Sequence, residues 1–208
     1  MRPPIPVLAP AVLGLLLLVS AAGVPAQPAS GPVPIAQAAG PSAPHALARA
    51  DITFMKNAAQ AGHAEKAAAQ LALQRSKHTQ VRAFAQQMVD EHGKAHAELA
   101  ALAAARHVTL PDKLSITQRA SLKLLATAAD DKFDQRYAKS FGVRAHRDAV
   151  ALFQKAANRA ADAQLRAFAA KTLPVVQQHQ TQAEDLLRAV ERDARPEQSA
   201  AGGAPPRR

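Results

Sequence analysis

The stretch Gln80–His92 reads QVRAFAQQMVDEH, and Gln164–His179 reads QLRAFAAKTLPVVQQH. Each carries the same RAFA core and ends on one histidine set into an apolar stripe spaced by threes and fours. Residues at that spacing share one face of a helix, so both stretches predict amphipathic helices with an inward histidine. The first runs from Thr79 to about Arg106, with Val81, Ala85, Met88, His92, Ala95, Leu99 and Leu102 on its stripe. The second is capped by Asp162 and carries Leu165, Phe168, Ala169, Thr172, Val175, Val176, His179, Ala183, Leu186 and Val190. Pro174 falls inside that pattern, where it removes an amide donor, and a bend is expected rather than an end.

A partner helix precedes each of these. Asp51 is a candidate N-cap for one that carries Phe54, Ala58, Ala61, Glu65, Ala68 and Ala72 and ends near Ser76–His78. The other, from about Asp131 to Ala160, carries Phe133, Tyr137, Phe141, His146, Ala149, Val150, Phe153 and Ala157. The two hairpins can be laid over one another: Glu65 leads Leu71 by six residues as His146 leads Leu152, and His92 leads Leu99 by seven as His179 leads Leu186. Between them His107–Leu114, with Leu110-Pro111-Asp112, is the longest break, followed by a short helix from about Ser115 to Ala129. The predicted fold is all-α, a ferritin-like four-helix bundle of two pseudo-repeated hairpins with a short crossover helix. Composition agrees, because aromatics are only 3 % and tryptophan is absent while alanine is abundant, which suits closely approaching helices better than a sheet.

The flanks read differently. Arg2 precedes an apolar run, Ala11–Val19, and small residues lead to a cleavage site at Val24-Pro25-Ala26, so residues 1–26 are expected to be an export signal. The run is too short for the roughly 20 residues that span a bilayer. Residues 27–48 are a Pro/Ala-rich linker that cannot bury a core, residues 49–193 the helical domain, and residues 194–208 a tail like the linker. The expected location is periplasmic or extracellular, with no transmembrane segment in the mature chain. A formal charge of +10 would draw such a protein to an anionic envelope surface, lipid or polysaccharide. The basic residues are scattered among acids, which argues against nucleic acid as a partner.

Taken together, Asp51…Phe54, Glu65, VRAFAQQMVDEH (Val81–His92), Leu110-Pro111, FDQRY (Phe133–Tyr137), AHRDAVALF (Ala145–Phe153) and LRAFAAKTLPVVQQH (Leu165–His179) resemble the domain of unknown function 4142 family. The resemblance spans roughly Asp51 to Val190 and implies an exported bacterial protein with a ferritin-like helical fold and no agreed activity. Members are often labelled outer membrane proteins, but no alternating strand pattern here supports a barrel.

One ionisable group falls on each inward stripe: Glu65, His92, His146 and His179. Two readings are open. The four can form a buried hydrogen-bond network that fixes helix register, the more economical account because buried polar groups must be satisfied. Alternatively they can hold a single transition metal ion, zinc, copper or iron, since imidazole and carboxylate suit such ions. A di-iron centre is disfavoured, because ferritin-like sites use Glu-x-x-His and the residues three before His92 and His179 are Val89 and Val176. His92 and His96 lie one turn apart as in HExxH, but Gly93 stands where the glutamate base belongs. Absent cysteine removes thiolate ligands and a cysteine nucleophile, and no nucleophile elbow or glycine-rich phosphate loop occurs. Binding is therefore expected rather than catalysis. Tyr137, one turn from Asp134, is expected to reach a hydrogen-bond partner at the bundle end, and His45, His63, His78 and His107 are expected to be solvated.

Overall fold

A computed structural model describes residues 47–195. The expected export signal, nearly all of the expected linker and most of the expected tail lie outside the described residues. Within them every element is helical, with no strand: α1 (Arg49–Arg75), α2 (Thr79–Ala104), α3 (Ile116–Ala126), α4 (Asp130–Tyr137), a π-helical segment (Ala138–Arg144), α5 (Ala145–Arg159) and α6 (Ala163–Asp193). No described helix is long and apolar enough to cross a membrane.

Local chemistry sets most of the helix starts. The His78 ring accepts from the Val81 amide at 3.4 Å, Ser115 and Gln118 form a reciprocal capping box on α3, and Asp162 accepts from Leu165 at 2.8 Å. Asp51 departs from its expected role. α1 begins at Arg49, and the buried Asp51 carboxylate reaches across to accept from the amides of Ala161 and Asp162 at 3.2 and 2.8 Å. It therefore caps the turn between α5 and α6. Arg106 grips the same turn with two bonds to Asp162, at 2.8 and 2.7 Å.

Packing follows the alanines. α1 lies along α2, α5 along α6, and the pairs meet where α1 touches α5 and α2 touches α6, while α3 crosses against α1 and α4. Ala68, Ala69 and Ala72 of α1, Ala85 of α2 and Ala183 of α6 are buried where larger side chains would hold the backbones apart. Two apolar clusters result, one around Val81, Met88, Phe133 and Leu186, the other around Met55, Leu99, Phe153 and Phe168. On α1, α2 and α6 and on the α4–α5 rod, Glu65, His92, His179 and His146 respectively fall in the stretch between the two clusters.

The helix expected over residues 131–160 is one rod, but its middle is π-helical. The wider turn absorbs the five-residue step from Phe141 to His146 and keeps both on the inner face. Gly142 lies in this segment against α6: a Cβ there would sit 3.1 Å from that of Ala183, closer than ordinary packing allows. α6 runs through Pro174 without ending; Val175, counted on its stripe, is exposed instead.

Because the buried Asp51 carboxylate is the acceptor for two amides of a part-buried turn, Asp51→Ala is expected to destabilise the fold by about 1–3 kcal/mol, read from the urea midpoint. An unchanged midpoint would show that the turn holds itself.

Candidate metal centre

Four helical rods each deliver one side chain. Glu65 is 4 % exposed, His92 9 %, His146 0 % and His179 1 %, so all four meet almost wholly withdrawn from bulk water. Ring nitrogens of His92, His146 and His179 lie within 4.8 Å of one another. Glu65 Oε2 is 3.0 Å from His92 Nε2, which is in turn 3.4 Å from His146 Nε2. The ring centroids are 5.3 to 5.6 Å apart.

The hydrogen bonds assign the protons. His146 donates Nδ1–H to the Gly142 carbonyl at 2.8 Å, an acceptor within the π-helical segment, which leaves the Nε2 lone pair facing His92. His92 Nε2–H is shared between Glu65 and that lone pair. His179 donates Nε2–H to Glu91 at 2.7 Å, and its Nδ1 is buried with no partner. Glu91 is the participant that the helical stripes did not reveal. It precedes His92 on the half-exposed edge of α2 and turns inward at its tip, a reach of side-chain length that spacing does not encode; the acid-rich Asp90-Glu91-His92 run was the only sign.

Electrostatics divides the group into one ion pair and two neutral rings. Burial pushes the Glu65 carboxyl up, but the imidazolium of His92 beside it, with weaker help from the other two rings, holds it below its ordinary value. For His92 burial acts downward and the Glu65 carboxylate overcomes it, so that ring holds its proton to higher pH than usual. Burial dominates at His146, lowering it against the pull of Glu65, and at His179, lowering it against the bond from Glu91. Tyr137 was expected at the bundle end and is instead buried next to this layer, packed edge-on against Phe84 at 6.3 Å; burial and the nearby Glu65 charge push its phenol up, keeping it neutral.

Of the histidines expected to be solvated, His107 is exposed, His45 lies outside the described residues, and His63 and His78 are half-buried. His78 caps α2 and pairs with Asp193 at 3.0 Å, while the His63 ring packs at a tilt against that of His96. The His92/His96 pair is not arranged as in HExxH: the His92 ring packs against His146 and His179, and the His96 ring against His63. The centre is not sealed: Glu65 reaches the wall of a cavity of about 680 Å³ between α1, α3 and the π-helical segment.

A family profile described as "Domain of unknown function (DUF4142)" matches residues 36–186. The chain belongs to this family. Its structure is similar to the crystal structure of a DUF305 fragment from Deinococcus radiodurans, with a TM-score of 0.62 and 15 % identity over 70 % of this chain and 99 % of that one. At that identity the likeness is one of fold alone. No curated protein matches the sequence. The DUF4142 assignment thus brings no reaction with it, and the chemistry of this member rests on the cluster itself.

The split into neutral and charged rings sets a pH profile for the metal-free DUF4142 domain. Below about pH 7 the unfolded chain carries protons on His146 and His179 that the folded one resists, so stability falls on acidification by up to about 2.7 kcal/mol per pH unit, with a smaller, solvent-screened addition from His96. Above it the folded state holds one extra proton on His92, so stability falls by about 1.4 kcal/mol per unit until that proton leaves. Chemical unfolding across pH 5–8 should therefore peak at about pH 7, where the unfolded histidines together hold about one proton. A monotonic rise with pH would refute the ion pair.

Proposed function

We propose that the protein is an exported, ferritin-like four-helix bundle that binds one transition metal ion, of the zinc, copper or iron kind, through His92, His146 and His179, with Glu65 as the fourth ligand. Export rests on Arg2, the Ala11–Val19 run and the small residues after it. Two helical hairpins joined by a crossing helix support the bundle.

The observation that carries the metal reading is the convergence of three buried imidazoles from three rods on one carboxylate. In a tetrahedral site with bonds of about 2.0 Å, neighbouring ligand atoms stand about 3.3 Å apart. The Glu65–His92 and His92–His146 separations, 3.0 and 3.4 Å, already match such edges. Gly142 and Glu91 supply the outer hydrogen bonds that fix ring tautomers in metal sites. Formal charge points the same way. Without metal, the carboxylates of Glu65 and Glu91 face a single imidazolium; a divalent ion displacing that proton brings three neutral rings and two carboxylates to balance. A network serving register alone would have no use for the unpartnered Nδ1 of His179.

The test is titration of the stripped, untagged protein with Zn²⁺, Cu²⁺ and Fe²⁺. One ion per chain is expected, with release of about one proton near neutral pH, seen by calorimetry in buffers of different ionisation enthalpy. Saturation at about 100 times Kd should stabilise by about 2.7 kcal/mol and raise the melting temperature. Glu91→Gln should weaken binding about 10- to 100-fold without abolishing it, and His146→Ala should abolish it. No bound ion and unchanged melting with all three metals would end this reading.

A further inference from the structure

A second pair of histidines flanks the first group on the seam between α1 and α2. The rings of His63 and His96 pack at a tilt of 54° with centroids 4.4 Å apart, and the Nδ1 of His96 is buried with no hydrogen-bond partner. Both rings line a recess of about 320 Å³ closed on its far side by Val108, Leu110 and Asp112. His96 is also on the wall of a second, narrow cavity of about 30 Å³, shared with Gly62, Glu65 and His92, which is room for little more than a water or a bare ion. One imidazole therefore borders both the outer recess and the inner space that touches the centre.

We propose that His63 and His96 capture the metal ion and pass it along this seam to the buried centre, an inference that rests on the metal reading above. Position supports the hand-over: His96 is one helical turn from His92 and borders the same narrow cavity as His92 and Glu65. Gly62 lines this passage and puts no side chain into it; a Cβ there would come to 3.9 Å from His92 Nδ1. His96 is held below its ordinary pKa by burial first, then by His63 and Lys66, so it offers a free lone pair at neutral pH. Asp112 on the recess adds a carboxylate that attracts cations. The wider cavity beside α3 also reaches Glu65, but its wall sets Arg136 and Arg144 against Asp148 and carries no imidazole that could capture the ion.

The experiment is stopped-flow uptake of Co²⁺ by the stripped full chain, followed by its visible absorption, in wild type and in the double variant His63→Ala/His96→Ala. Both substitutions fall on half-buried helix positions where alanine is well tolerated, and melting curves check that the fold is kept. Uptake should slow by at least about tenfold, the scale on which local ion concentration changes on-rates, while the end point stays at one ion per chain. An unchanged rate overturns the route. Loss of the end-point ion also overturns it, because the pair would then be ligands of the final site. Failure of the wild-type chain to take up any ion is a different result and strikes the metal reading itself.

Discussion

A carboxylate and an imidazolium buried side by side govern this fold. Glu65 and His92 sit 3.0 Å apart inside an alanine-rich interior, where neither charge survives without the other. Each overcomes the desolvation of its neighbour, and the remaining rings then stay neutral because a second positive charge in that space would meet both burial and the first. The position of every rod is tied to this layer. α1 and α2 contribute the pair, the α4–α5 rod presents a lone pair to it, and α6 closes it with His179, which Glu91 holds from the opposite helix.

The π-helical segment is the backbone's answer to that requirement. An uninterrupted α-helix from Asp130 would carry Phe133, Tyr137 and Phe141 inward and rotate residue 146 away, because five residues overshoot one and a third turns. Widening one turn restores the phase. It also places the Gly142 carbonyl within 2.8 Å of His146 Nδ1 and brings the chain so close to Ala183 that only glycine fits without displacement. A single local distortion orients the ring, fixes its tautomer and seats α6.

Much of this was legible in the residues. The three-four periodicity identified the long helices, the Asp162 cap and the passage through Pro174, since these depend on interactions within a few residues. It also singled out Glu65, His92, His146 and His179, because an ionisable group interrupting an apolar stripe must be buried with partners or not at all. The step of five from Phe141 to His146 was visible too, though read simply as continuation of one helix. Asp51 misled for a different reason: an aspartate near a helix start normally caps its own helix, and its partners here lie about 110 residues away on another turn. The same limit hid Glu91, the place of Tyr137 beside the centre and the packing of His63 against His96.

The sequence by itself determined the helices, their inward faces and which polar groups those faces carry, because helix periodicity is a property of the chain's own backbone geometry. The tertiary structure decided the rest: that four groups from four rods meet at one level, that one proton is shared between a carboxylate and a ring, and that a half-exposed glutamate reaches in. Those outcomes depend on how far apart packed backbones stand and on the dielectric between them. No stretch of neighbouring residues contains either quantity.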